Sequence, residues 1–546
     1  MSYTYYPMHM HLHAGCDYGS SMALDMYNAS LLNMNYIWFT DHDTRICKRE
    51  DEISGFSFDT TELLKDSDGH FFGFKSICDS TDYKIDEKER KLTLSLSSDF
   101  SEEWKTDGVF FATKGTRHTC SLCSEVNLSI DLKEYTPDTD TRLIFAVKLS
   151  QRPPEMDNAY MLYVIGETED LENIPHIQVI PREYKRGIFN MPVSSDISES
   201  LDIGGKDNAF DTVYILLQSR NGKKTSVTVG DFNIKREKYG EALRKELQII
   251  GDKVGANYGV KPFVSFEISG AGEHKNCYNT DVPILEYDKY NYEVSESMAI
   301  NHVRKYGGIY AVNHPFATKP FKGLKNISEA ERMELFKKLF EEFYKNNAIG
   351  ATLMEVGFPE GRNFPFKYYT ALWDMLGEAG IILSGYGSSD CHRNNIGWFD
   401  GNNFATYIGV NSELKYPVDQ IEFVNAMKEG RMYTADPTKI KGKIEFKTED
   451  GFEMGSIINS KEKDEVKLVF KGECMEPGWK FRLISNGVEI CSKEITESEF
   501  TYESILKSGS NPVDFQRVEI YDETGRCILL TNPIYIVSSD NIRRNV

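Results

Sequence analysis

The sequence predicts an α/β fold with a parallel barrel or sheet, interrupted by a β-sandwich and followed by a small β-domain. Helical and strand-like stretches alternate near the start of the chain and again in its middle, which is typical of βαβ units. Two other stretches show only strand-like alternation. Because 546 residues exceed what one compact core accommodates, we expect four segments: 1–74 and 236–436 for the α/β unit, 75–235 for the sandwich and 437–546 for the C-terminal domain.

The first α/β segment combines a helix and a strand. Apolar residues recur at helical spacing over 22–35, and the apolar run Tyr36-Ile-Trp-Phe-Thr40 follows as a strand. The segment therefore predicts strand, loop, helix and strand, with polar residues at the strand ends.

The proposed sandwich lies where this rhythm stops. Short alternating runs such as 91–97, 126–132 and 143–149 are separated by turn residues, without a helical stretch between them. We expect an inserted β-sandwich that leaves the α/β unit soon after His42. A sandwich in that place could bind a glycan, which would suggest a sugar-phosphate substrate.

The α/β rhythm returns after residue 236. The pattern predicts helices over 238–254, 295–306, 328–347, 367–379 and 417–429, and strands over 261–267, 308–314, 351–355 and 381–385. Strand-like alternation resumes after about 437, for example at 466–470 and 515–521.

Charge and hydropathy restrict the partners. The formal net charge is -21, and without a basic stripe an acidic chain is a poor ligand for duplex nucleic acid. No stretch reaches the roughly 18 apolar residues of a membrane helix, and the N-terminal residues do not form a secretory signal. We expect a cytoplasmic protein without membrane association. The oligomeric state is left open.

Metal-ligating side chains gather at predicted strand ends. Five of the 11 histidines fall in three short stretches: His9-Met-His11-Leu-His13, Thr40-Asp-His42-Asp and Ser389-Asp-Cys-His392. Imidazole and carboxylate groups in such places are typical of a polynuclear metal centre. Because alternate side chains of a strand share a face, all three N-terminal histidines could point the same way.

These motifs resemble, in order, the four motifs of the PHP (polymerase and histidinol phosphatase) family. The resemblance rests on His11-Leu-His13, Thr40-Asp-His42, Asn313-His-Pro315 and Ser389-Asp-Cys-His392, and covers about 1–50 and 236–436. The run Glu267-Ile-Ser-Gly-Ala-Gly-Glu-His-Lys-Asn276 is similar to a pattern of one branch, which includes carbamate-ester hydrolases and uncharacterised phosphoesterases.

The resemblance implies a distorted (β/α)7 barrel with two or three divalent ions (Zn, Mn or Fe) at the C-terminal strand ends. Where the family usually has aspartate, this chain has His9, so the ligand pair could instead be His9 and His11. The implied ligands are His11, His13, Glu267 and Asp390 for one ion; Glu267, His274 and His314 for a second; and Asp17, His42 and His392 for a third.

Other polar residues beside these ligands are candidates for catalysis and substrate binding. Asp41, Arg45 and Arg393 flank predicted ligands and are the candidate catalytic residues. The two arginines could bind a substrate anion through bidentate contacts, or form structural salt bridges. Glu355, at the end of a predicted strand, could orient a substrate hydroxyl or a ligand histidine, or be structural.

Three functions remain open at this point. The first is a phosphoesterase that acts on a small phosphorylated or glycan-linked substrate through a metal-activated hydroxide. The second is hydrolysis of a carboxylic ester, amide or carbamate by the same chemistry. The third is a glycan-binding protein with a vestigial metal site.

Overall fold

The structure is a computed structural model that describes residues 2–13, 21–47, 64–65, 71–77, 80–86, 88–112, 120–150, 159–197, 207, 209–269, 274–285, 296–316, 327–357, 364–391, 404–509, 511–538, 542 and 544–545. None of the helices in these ranges combines the length and apolar character that a membrane crossing requires.

The first segment contains two strands and two helices. They are β1 (Tyr3–Leu12), α1 (Met22–Leu31), β2 (Tyr36–Phe39) and α2 (Asp43–Ile46). Helix α1 begins after Ser21, whose side chain accepts a hydrogen bond from the amide of Leu24, as helix N-caps do. The carboxylate of Asp207, which lies far along the chain, accepts hydrogen bonds from the first two amides of the same helix.

The β-rich insertion follows, and we use this name for residues 64–236. Its elements are β3 (Leu64–Lys65), β4 (Phe71–Ser76), β5 (Asp82–Asp86), β6 (Lys91–Ser97), β7 (Lys105–Ala112), β8 (Cys120–Ser121), β9 (Val126–Tyr135), β10 (Thr141–Ser150), β11 (Tyr160–Ile165), β12 (Ile177–Pro181), β13 (Gly187–Met191), α3 (Val193–Asp196), β14 (Ala209–Ser219) and β15 (Lys224–Arg236).

Two sheets make up the insertion. One has the order β12-β11-β10-β14-β7-β4-β3, with β8 beside β14, and the other has the order β13-β9-β15-β6-β5. Strand β6 shows the expected alternation, with Leu92, Leu94 and Leu96 buried and the residues between them partly exposed. Apolar side chains from both sheets form one shared core, so the two layers face each other.

The second α/β segment resumes directly after β15. Its elements are α4 (Gly240–Tyr258), β16 (Lys261–Val264), β17 (Phe266–Ile268), β18 (Lys275–Tyr278), α5 (Glu296–Lys305), β19 (Ile309–Val312), α6 (Glu329–Lys345), β20 (Leu353–Gly357), α7 (Phe366–Glu378), β21 (Ser384–Cys391), β22 (Ala405–Asn411), α8 (Gln420–Glu429) and β23 (Met432–Ala435). The predicted helices all appear here, with bounds shifted by up to four residues. The predicted strand 261–267 is divided into β16 and β17, and the predicted strand 381–385 overlaps only the start of β21. Helices α4 and α8 end at Gly259 and Gly430, both with positive φ, which glycine adopts without strain.

Strand pairing in this unit follows the order β16-β2-β1-β21-β20-β19-β18-β17. The pairs β16–β2, β2–β1, β1–β21, β21–β20 and β20–β19 are parallel. Strand β18 is antiparallel to both β19 and β17. Strands β16 and β17, at the two ends of this path, are separated in sequence only by Ser265. The carboxyl ends of β1, β2, β20 and β21 therefore lie on the same side.

The C-terminal region continues the main sheet. Its strands are β24 (Ile444–Thr448), β25 (Ile457–Asn459), β26 (Glu465–Gly472), β27 (Lys480–Ser485), β28 (Val488–Glu494), β29 (Phe500–Lys507), β30 (Val513–Tyr521), β31 (Cys527–Thr531) and β32 (Ile534–Val537). The first half of β1 pairs with β22, which pairs with β23, and β23 pairs with β31.

A buried ion-pair network fastens this region to α7. Arg517 is almost completely buried and donates two hydrogen bonds to Asp374, at 2.8 and 2.7 Å, and one to Glu519, at 2.6 Å. The neighbouring carboxylates raise the pKa of Arg517 even though burial opposes this.

Candidate metal centre

Glu267 is the centre of the site. It lies in β17, is fully buried, and has a carboxylate oxygen near a ring nitrogen of each of five histidines. The nitrogen–oxygen distances are 3.0 Å to His42, 3.2 Å to His274, 3.4 Å to His11, 3.8 Å to His314 and 3.9 Å to His13. A single buried carboxylate surrounded by this many imidazoles is a candidate metal ligand.

Asp390 provides the second central carboxylate. Its Oδ1 lies 3.4 Å from Nε2 of His11 and 3.3 Å from Nε2 of His13, and its Oδ2 lies 3.6 Å from Nε2 of His314. Asp390 approaches from β21 and Glu267 from β17, so the imidazoles lie between carboxylates from two different strands.

A bulge in β1 decides which of its histidines reach this site. The pairing of β1 with both β2 and β21 is irregular between Met10 and Leu12, and His11 has φ 65°. Met8 and Met10 pack in one core, whereas Leu12 packs in another, so the alternation changes faces at the bulge. His11 and His13 therefore meet Asp390, and the expectation that His9 shares their face is wrong.

His9 instead supports the site from behind. Its Nδ1 lies 3.1 Å from the carbonyl of Met10 and therefore donates to it, which leaves Nε2 to accept from the hydroxyl of Ser389 at 3.0 Å. Burial lowers the pKa of His9 to about 3, so the ring is neutral. The alternative in which His9 and His11 are the ligand pair does not match this geometry.

Three residues of the site have a strained backbone. His11, His314 and Asp390 have φ of 65°, 25° and 51°. Residues other than glycine rarely adopt these values. A strained backbone persists only where surrounding contacts stabilise it, and such residues are often found at functional sites.

Glu355 is one of the groups that hold this strain. It is fully buried in the middle of β20, and its Oε1 accepts hydrogen bonds from Nδ1 of His11, at 3.1 Å, and from the hydroxyl of Ser388. Its Oε2 accepts from the backbone amide of His314. One carboxylate thereby contacts β1, β21 and the segment just after β19.

Asn313 orients Glu267 in a similar way. Its Nδ2 donates to Oε1 of Glu267 at 2.7 Å, while its Oδ1 accepts from the amide of Asn276 and from the hydroxyl of Tyr386. The motif in the sequence contains Asn313 but predicts no role for it. Its place immediately before His314 is the only signal in the sequence, because its partners come from distant strands.

The raised pKa of His11 shows that the site favours a positive charge. Since Nδ1–H of His11 donates to Glu355, the neutral ring turns the lone pair of Nε2 toward Glu267 and Asp390. Burial alone would lower the pKa of His11, but Asp390 and Glu267 outweigh it and raise the pKa to about 10. Positive charge is thus strongly favoured between this nitrogen and the two carboxylates.

The neighbouring charges also outweigh burial at Glu267 and His274, but not at His314. Burial would raise the pKa of Glu267, but His274, His42 and His11 together hold it well below its usual range. Burial alone would lower the pKa of His274, yet Glu267 raises it. For His314 burial prevails and the pKa is lowered, so this imidazole is neutral.

The residues present fit a divalent metal ion. Nε2 of His11 and Oε2 of Glu267 are buried and make no hydrogen bond within the described part of the chain, which is costly unless a cation is near. Imidazole with carboxylate suits zinc, manganese or iron. Potential ligand atoms lie within 4.8 Å of one another in four groups: His11, His13 and Asp390; His13, His42 and Glu267; Glu267, His274 and His314; and His11, His314 and Glu355.

These groups can be compared with the ligand sets that the family resemblance implies. The set Glu267, His274 and His314 is brought together as one group, and His11, His13 and Asp390 form another beside Glu267. Of the third set, His42 lies beside Glu267 and His13, whereas Asp17 and His392 fall outside the described residues, as does Arg393.

The remaining candidates lie at the margin of the site. Asp41 is buried, and its carbonyl accepts a hydrogen bond from the amide of Glu267 at 2.9 Å. Arg45 is half-buried on α2, the short helix that begins beside His42. Asp43, which was not among the candidates, accepts hydrogen bonds from the amide and the hydroxyl of Ser269 and so joins the chain after β2 to the chain after β17.

Comparisons with known proteins give no family assignment. No family model matches the sequence, and no curated protein matches it. Among solved structures, the chain is similar to a two-domain protein from Bacteroides vulgatus containing a predicted PHP-like metal-dependent phosphoesterase, with 12% identity over 53% of this chain and 79% of that one and a TM-score of 0.26.

Two further solved structures match about a third of this chain. The xyloglucanase domain of NopAA, a type three effector from Sinorhizobium fredii, is 10% identical, covering 31% of this chain and 97% of that one, with a TM-score of 0.22. A family 12 xyloglucanase from Bacillus licheniformis is 7% identical, covering 30% and 99%, with a TM-score of 0.20. With TM-scores this low, the case for function rests on the geometry of the site.

Proposed function

We propose that this protein is a metal-dependent hydrolase whose ions are held around Glu267. The observation that carries the proposal is the proximity of this one buried carboxylate to five histidines drawn from four separate stretches of the chain. A structural ion needs four ligands in a closed shell, whereas this site gathers more donors than one ion can use.

We also propose that the strand path around the site, with β16 and β17 taken as one strand interrupted at Ser265, is the distorted seven-stranded barrel that the PHP resemblance implies. Two observations support this proposal. The strands from β16 through β2, β1, β21 and β20 to β19 pair in parallel, and β16 and β17, at the two ends of the path, follow each other directly in sequence. His11, His13, His42, His314 and Asp390 lie in or just after the carboxyl-terminal parts of parallel strands, and His274 comes directly before the antiparallel β18. Barrel enzymes carry their active sites at the carboxyl ends of their parallel strands.

The residues of the site have two roles, metal binding and orientation of the metal ligands. Glu267 would hold metal together with His274 and His314, and also beside His11, His13 and Asp390. Divalent ions in such a site supply Lewis acidity and lower the pKa of water toward neutrality. Glu355 and Asn313 orient ligands, and among the described ligand residues the side chain of His274, at 29% exposed, is the most accessible to solvent.

Phosphate esters are the substrate class that we put first, and a carboxylic ester, amide or carbamate is the alternative. The site has carboxylate and imidazole donors for more than one divalent ion, a donor set that also serves phosphate-ester hydrolysis. Arg45, close to His42, and Arg393, directly after His392, are the candidate groups for the substrate anion.

The experiment compares metal content and hydrolysis in the purified protein. We expect more than one equivalent of metal per chain by elemental analysis, and hydrolysis of 4-nitrophenyl phosphate in preference to 4-nitrophenyl acetate. Asp390→Asn and His11→Ala should lower bound metal and abolish hydrolysis while circular dichroism stays unchanged.

The surface variant Asp252→Asn serves as the matched control and should retain both metal and activity. A metal-free wild-type protein that still hydrolyses either ester would overturn the proposal, as would full activity in Asp390→Asn. Preference for the acetate would retain the hydrolase and select the alternative substrate class.

A further inference from the structure

The β-rich insertion carries a polar cleft that is separate from the metal centre. The cleft has a volume of about 700 Å³. It is lined by Ser80, Asp82, Ser95, Leu96, Ser97, Lys105, Asp107, Thr136, Asp138, Lys224, Thr225 and Ser226. Residues of β5, β6 and β15 in one sheet meet residues of β7 in the other, so the cleft lies where the two layers come together.

From its chemistry we propose that this cleft binds a neutral oligosaccharide. Among the described residues of the lining Leu96 is the single apolar one, so the cleft offers little to an apolar ligand. The same described residues include three carboxylates and two ammonium groups among hydroxyls, and this excess of negative charge disfavours a phosphate. A sugar hydroxyl both donates and accepts, so neighbouring hydroxyls can satisfy carboxylates and ammonium groups together.

The walls of the cleft are held in place by internal hydrogen bonds. Lys105 donates to the carbonyl of Ser97 at 3.0 Å, and the hydroxyl of Thr81 donates to Asp107 at 2.5 Å. Lys223 donates to Asp138 at 3.0 Å. Groups that are already ordered lose little conformational entropy when a ligand binds.

An aromatic ring stands beside this cleft. Residues 98–104 connect the lining residues Ser97 and Lys105, and within them Phe100 is 97% exposed. The ring lies close to Gly222, where an added Cβ would be 2.7 Å from its Cε1. The amide of Gly222 also donates to the carbonyl of Asp99 at 2.8 Å. An exposed ring next to hydroxyl-binding groups matches the apolar face of a pyranose.

The shape of the surface favours a chain of sugars over a single one. A second cavity, of about 670 Å³, is lined by Pro137, Asp138, Thr139, Gly166 and Glu167. Asp138 borders both cavities, so they adjoin at this residue, and we call the two together the groove. The inference does not depend on the metal centre, because the residues of the groove lie in the insertion.

The test is calorimetric titration of the full-length protein with cellotetraose, xylotetraose, mannotetraose and maltotetraose, with inorganic phosphate as the charged probe. We expect at least one tetrasaccharide to bind and phosphate not to displace it. Asp82→Ala and Phe100→Ala should each weaken binding about tenfold or more, as expected for loss of a charged hydrogen-bond partner or of a contact surface. Ser226→Trp, which fills the cleft, should abolish binding.

Two variants in the same sheet serve as matched controls. Glu134 is exposed and Tyr83 is 45% exposed, and neither lines the cleft, so Glu134→Ala and Tyr83→Ala should bind the sugar as the parent does. Absence of binding to all four sugars at millimolar concentration would overturn the proposal. So would equal affinity in Ser226→Trp, with thermal unfolding showing that the variant is folded, or displacement of the sugar by phosphate.

Discussion

Replacing Glu355 with glutamine separates two roles that this residue could have. The side chain keeps its shape, but one acceptor oxygen becomes an NH2 group. Because Oε1 accepts from His11 and Ser388 while Oε2 accepts from the amide of His314, either orientation of the amide sets one donor against another. Glu355→Gln therefore breaks at least one hydrogen bond to a ligand histidine.

The magnitude follows from the hydrogen bonds that this substitution removes. A hydrogen bond to a charged group contributes about 1.5–3 kcal/mol, and loss of a partner that orients a metal ligand typically lowers metal affinity about 10- to 100-fold. We expect metal affinity in Glu355→Gln to fall within that range. Since the carboxylate is fully buried behind His11, KM for the ester should stay unchanged.

The assay is a competitive chelator titration combined with steady-state kinetics at two metal concentrations. Turnover by Glu355→Gln should be low when metal is limiting and should recover when metal is in excess. The matched control Glu331→Gln, on an exposed helix start, should behave as the parent. A raised KM with parental metal affinity would refute the reasoning and make Glu355 a substrate-binding residue.

Further predictions concern the arginines, a buried ion pair and acid stability. If the substrate is a phosphate ester, Arg45→Ala or Arg393→Ala should reduce turnover about 100-fold at unchanged metal content, and parental rates in both would favour carbonyl substrates. Arg517→Met leaves two carboxylates buried without their cation and should lower the free energy of unfolding by about 3–5 kcal/mol, measured by urea denaturation. The hydroxyl of Tyr368 is the largest cause that lowers the pKa of Glu329 from 4.5 to about 2, so the stability from this carboxylate is present above pH 4.5 and lost as pH falls toward 2. Tyr368→Phe should therefore destabilise the protein more at pH 7 than at pH 2, and a constant difference would contradict the assignment.

Much of the architecture could be predicted from the sequence because local patterns determine it. Helices such as α4 and α6 combine an apolar stripe with clear ends, a glycine with positive φ after α4 and a capping box at Ser328 and Glu331 before α6. The ligand clusters could be found for a similar reason, since polar residues that end apolar strands stand out from their surroundings. The proposal of a complete barrel still rests on strand pairings, which no local pattern specifies.

The direction of individual side chains could not be predicted in the same way. Strict alternation puts His9, His11 and His13 on one face, but the bulge at His11 shifts the register, and nothing in the residues around it announces a bulge. The partners of Glu355 and Asn313 lie on other strands, so their hydrogen bonds depend on how the strands are arranged. Asp207 accepts hydrogen bonds from the start of α1 although it lies about 180 residues further along the chain, and no pattern in the sequence predicts this contact either.

The pairing of β23 with β31 has a practical consequence for anyone who divides this chain. A fragment ending near residue 436 would retain the proposed metal ligands but would leave β23, all four of whose residues are buried, as an open edge. Unpaired, apolar edge strands join to other copies. Such a fragment should self-associate in solution, so an isolated catalytic unit needs either the C-terminal strands or charged substitutions along β23 to remain monodisperse.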